Sequence, residues 1–106
     1  MARFDAYARP GQPGYLLDVQ AGLLSLLSTR VVVPLLPLDL APKSAERMNP
    51  CFEIQGVAVS MVTQFMAAIP AADLKHHVAS LDHHSTAILD AIDYLHQGWS
   101  PHRLNP

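Results

Sequence analysis

Along the first two thirds of the chain, apolar positions come in short alternating or continuous runs separated by turn residues. This is the pattern of strands rather than helices. Residues 3–8 alternate loosely, and the proline- and glycine-dense segment Arg9-Pro10-Gly11-Gln12-Pro13-Gly14 follows as a loop. Residues 15–19 resume as a strand. Val31-Val32-Val33 is a continuous β-branched run, which predicts a strand buried on both faces, with Pro34 marking an edge or a bulge. Residues 36–49 hold Pro37 and Pro42 and read as a loop with one helical turn over 44–48. Phe52 and Ile54 alternate with polar neighbours, Gln55-Gly56 supplies a turn, and residues 57–62 complete a hairpin.

After Pro70 the period changes. Leu81, Ile88, Ala91, Ile92 and Leu95 fall at helical spacings and form one apolar stripe, so the chain closes on a helix. Asp82 is placed to cap its start, His96 lies in its last turn near the negative dipole end, and Gly98 suits the left-handed residue that follows. Residues 71–80 carry both a helical spacing and a proline start and stay unassigned. The reading is mainly β with a C-terminal α-helix, in one domain over residues 1–99, with residues 100–106 as a frayed tail.

Composition agrees with a single packed core. Of 106 residues half are hydrophobic and 15% charged, enough apolar content to offset chain entropy. A formal charge of -2 and a pI near 6.3 leave no basic footprint for direct nucleic-acid binding. Cys51 is the single cysteine, which excludes an internal disulfide and predicts a small core residue in a reducing cytoplasm. No leader pattern is seen, and no apolar run approaches the roughly 18 residues of a membrane span.

Candidate chemistry is sparse. His76-His77 and His83-His84 form two pairs seven residues apart, too far for the direct chelation that spacings of three or four allow, so surface histidines are expected and no metal. Ser60, Ser80 and Ser85 lack a nucleophile elbow, no glycine loop cradles phosphate, and no cofactor is indicated. Catalysis is not indicated.

Asp18-Val19-Gln20, Arg30 followed by Val31-Val32-Val33-Pro34-Leu35, and Asn49-Pro50 before the hairpin resemble the CcdB toxins, in the same order. Met61-Val62-Thr63, Met66-Ala67-Ala68-Ile69-Pro70, Leu81-Asp82-His83 and Ala87-Ile88-Leu89-Asp90-Ala91-Ile92-Asp93 continue the resemblance through almost the whole chain. The resemblance implies an SH3-like antiparallel barrel with a C-terminal helix, assembled as a homodimer. It also implies a toxin that enters the DNA gyrase A subunit and traps the enzyme on cleaved DNA. A cognate CcdA-like antitoxin would neutralise it with a disordered segment, and operator DNA would be bound only through the toxin–antitoxin complex.

Target-binding residues are implied in the same way. The family's Trp-Gly-Ile end falls on Gln97, Gly98 and Trp99, so the indole is displaced by two residues and residues 100–106 extend beyond it. His96 lies beside them, and the family's helix asparagine falls on Asp93, where a charge replaces an amide. The apolar pair after Asp-Val-Gln falls on Leu23 and Leu24, of which one is expected in the core and one at the surface. Trp99 is read as a target contact, against a lid over the core. Asp93 and Gln97, four apart, fall on the polar face of the helix. Two alternatives are a dimer with another target or none, motivated by Gln97, and a ribonuclease of related barrel fold using Arg30 or Arg47 with a carboxylate.

Overall fold

The computed structural model describes residues 2–45 and 47–98. Seven strands form one antiparallel sheet: β1 (Asp5–Ala8), β2 (Tyr15–Asp18), β3 (Thr29–Pro37), β4 (Cys51–Ile54), β5 (Val57–Met61), β6 (Ala67–Pro70) and β7 (His77–Ser80), followed by one helix, α1 (Ser85–Gln97). The order β4-β5-β3-β2-β1-β7, with β6 also on β3, curls the sheet into a half-barrel of the SH3-like kind.

The alternation read from the sequence sorts residues to two faces. On one, Ala6, Leu17 and Val33 join Phe52, Val59 and Met61, and α1 adds Ile88 and Ala91 to close the main core. On the other, Tyr7, Val32 and Leu74 form a second cluster flanked by Leu16 and Ile69. The apolar stripe of the helix thus completes the main core. Only its last member, Leu95, emerges, more than a third exposed.

The hairpin turns at Gln55 and Gly56, both at positive φ, as its residues predict. Gly98 ends α1 in the left-handed conformation at φ 78°, its N–H donating to the Tyr94 carbonyl.

Several expectations are corrected. β3 does not stop or sit at an edge at Pro34: it runs to Pro37 in the middle of the sheet, paired with β2 throughout 32–35. Its other side changes partner at this point, from β6 opposite 29–32 to β5 opposite 35–37, so the missing N–H falls at the change. Asp82 does not cap α1. It opens a 3-10 turn, Asp82–His84, and His84 occupies the cap position with no side-chain hydrogen bond. Cys51 is exposed at the start of β4 rather than in the core. The unassigned stretch becomes a 3-10 turn, Ala71–Asp73, and edge strand β7 on β1. Within the stretch where a helical turn is expected, 44–48, the Met48 and Asn49 N–H groups both donate to the Ala45 carbonyl.

Candidate functional site

The β2–β3 connection carries four leucines into solvent. Leu23 is 97% and Leu26 98% exposed, and Leu24 and Leu27 are about half exposed. Neither Leu23 nor Leu24 is in the core, correcting the expectation for the pair. Each leucine left fully in water forgoes roughly 1.5–3 kcal/mol of burial, so a local cluster of them marks a surface built to be covered.

This loop is not slack. It contains the 3-10 turn Gly22–Leu24, with Leu24 N–H on the Ala21 carbonyl, Leu27 N–H on Leu24, and Ala71 N–H on Ser28. Beneath it lies a buried polar group that sequence reading noted only as a resemblance motif. Arg30 Nε and Nη2 donate to Asp18 Oδ2 at 2.9 and 2.6 Å. Asp18 Oδ1 accepts the Gln20 N–H at 3.1 Å. The Gln20 side chain donates to the Leu24 carbonyl at 2.8 Å and accepts Val31 N–H at 3.0 Å. Asp18, Gln20 and Arg30 are all buried. The available signal was three polar residues bracketing an apolar run, a placement that needs partners if they are buried.

The other candidate residues lie on α1. Asp93 is half-buried, and His96, Gln97 and Gly98 are exposed at its last turn. Trp99 and residues 100–106 lie outside the described residues. The helix end and the leucine loop sit on separate elements; the 3-10 turn Thr63–Phe65 packs against both β3 and α1. Its Phe65 is exposed, as is Leu95.

The histidines are dispersed. His77 pairs with Asp5 at 3.3 Å and meets Tyr7 edge-on. Burial, then the Asp5 and Asp18 charges, push the Tyr7 hydroxyl above its ordinary range, against the Arg30 charge. The His84 ring packs at a tilt against Phe52, centroids 4.7 Å apart, and against His83 at 4.1 Å. Burial first, then His83, lowers its pKa. Among the described residues no group of three or more side chains could hold a metal ion.

On the sheet face away from α1, Leu16 and Ile69 floor an open groove of about 410 Å³, rimmed by Arg9, Gln12, Asp73 and Lys75. Neither arginine suggested for acid–base work is free for it. Arg30 is 1% exposed and committed to Asp18, and Arg47 lies 3.7 Å from the Asp90 carboxylate and over the Tyr94 ring.

No helix among the described residues is long and apolar enough to cross a membrane. Comparison with curated proteins gives no match. The family model described as CcdB protein matches residues 3–98, nearly the full length over which the fold and the Asp-Val-Gln motif have been described. The chain therefore belongs to the CcdB family, whose members are the non-enzymatic toxins of toxin–antitoxin pairs.

Proposed function

We propose that this toxin binds the A subunit of DNA gyrase in the cytoplasm and traps the enzyme on cleaved DNA. The target surface combines Leu23 and Leu24 with Asp93, His96, Gln97, Gly98 and Trp99. The observation that carries this reading is the leucine loop: side chains kept in water on a hydrogen-bonded turn are arranged for a partner, not for the chain's own core. Two copies form the active dimer. A CcdA-like antitoxin neutralises it and brings it to operator DNA for co-repression; the Leu16–Ile69 groove with its Arg9 and Lys75 rim suits an apolar segment carrying acidic residues.

The test incubates the purified protein with gyrase from its own host, supercoiled plasmid and ATP, then denatures, digests and looks for linear DNA. Linear product is expected, and it should vanish with Leu23→Asp and with Trp99→Ala while both variants stay folded. No product from folded wild-type protein would favour the second reading, a family member with another target. That reading is motivated by the Asp93 charge and the exposed Gln97, where the family carries an amide and an indole.

A further inference from the structure

Between the buried pair Asp18 and Gln20 and the buried Arg30, every residue from 22 to 29 is exposed. Leu23 and Leu26 gain nothing from pointing outward and Leu24 and Leu27 are only half covered, so packing does little to hold this loop in place. The hold is polar. The Gln20 amide spans the loop throat, touching Leu24 inside the 3-10 turn and Val31 on the returning strand. Its orientation is fixed by its partners, because a carbonyl can only accept and a backbone N–H can only donate. The Gln20 backbone is held in turn by Asp18, and Asp18 by Arg30.

We propose that Gln20 is a positioning residue that sets how Leu23 and Leu24 are presented to the target. The importance of that presentation rests on the target surface proposed above. The amide itself can be tested without it. The role needs one donor and one acceptor at the end of a side chain long enough to reach both the 3-10 turn and β3. Glutamate keeps the acceptor for Val31 but turns an oxygen toward the Leu24 carbonyl, and methionine keeps the length and loses both bonds.

The experiment compares wild type, Gln20→Glu and Gln20→Met by thermal denaturation, residue-resolved amide exchange and gyrase trapping. Both variants should remain folded, with exchange at Leu24, Ser25 and Leu27 at least tenfold faster than in wild type while Val33 and Leu35 in β3 change little. Trapping should need at least tenfold more protein. In wild type, the Gln20 side-chain amide protons should themselves be protected from exchange, a measurement that stands even if a variant fails to fold. Uniformly faster exchange across the loop and β3, unchanged loop exchange, unprotected Gln20 amide protons, or full trapping by a variant with a loosened loop would each overturn the proposal. Failure of wild-type protein to trap gyrase would overturn the target reading, and the exchange data would still decide the role of Gln20.

Discussion

Arg30 and Asp18, twelve residues apart, form an ion pair in which two guanidinium nitrogens donate to one carboxylate oxygen, with both side chains almost fully buried. Removing the carboxylate leaves a buried cation without its counter-charge. Asp18→Ala is expected to cost about 3–5 kcal/mol, read as a lower urea midpoint at unchanged slope. An apolar pair, Asp18→Leu with Arg30→Met, should cost less than the sum of the single changes, because neither charge is then stranded.

Gly14 sits at φ +90°, and a Cβ there would lie 2.3 Å from the Leu35 carbonyl oxygen. The contact is with backbone of β3, which β2 pairs from the next residue onward, so it has no flexible side chain to yield. Gly14→Ala should cost more than about 1 kcal/mol, the sum of left-handed strain and a displaced strand. Gly11, at φ +72° in open space, supplies the control: Gly11→Ala carries strain alone and should lower the melting temperature less.

What the sequence made legible follows from how local each signal is. The Gln55-Gly56 hairpin and the stripe through Ile88 and Ala91 are set by neighbours within a few residues, and both are found. β6 and β7 are four residues each and owe their state to β3 and β1, far away in the chain, so periodicity did not mark them. Pro34 was misleading because an edge rule knows nothing of a strand that changes partners on one side. Residue type assigns Cys51 and one of the pair Leu23 and Leu24 to the core, yet both leucines and Cys51 are exposed, because side-chain hydrophobicity cannot distinguish a core from a surface meant for a partner. Asp18, Gln20 and Arg30 were visible as a motif, but their pairing across the loop throat was not.

His84 provides a pH dependence. It stands at the start of α1, where the dipole disfavours a cation, half-covered by Phe52 and His83. Its folded-state pKa lies below the ordinary 6.5, through burial and then His83. The unfolded chain therefore takes up the proton more readily. The stabilising contribution is complete above about 6.5 and declines as pH falls through that value toward the lower folded-state pKa. Denaturation at pH 7.5 and 5.0 should show a smaller drop in stability for His84→Gln than for wild type. An equal drop would assign the acid sensitivity elsewhere.

Asn49 joins three parts of the chain through one buried side chain. Its Oδ1 accepts Ala45 N–H at 2.9 Å, and its Nδ2 donates to the Met61 carbonyl at 3.0 Å and to Gln64 Oε1 at 2.8 Å. It thereby ties the turn before β4 to the end of β5 and to the 3-10 turn that packs on α1. Asn49→Ala removes all three bonds, and a buried group left unpaired costs roughly 1–3 kcal/mol, so a loss of about 2–3 kcal/mol is expected. Asn49→Asp keeps the shape and the acceptor but has no donor when ionised, and it sets a carboxylate against the Met61 carbonyl. At pH 7 it should destabilise at least as much as Asn49→Ala despite being nearly isosteric. Were Asn49→Asp the milder of the two in thermal denaturation, volume rather than hydrogen bonding would be what Asn49 supplies at this junction.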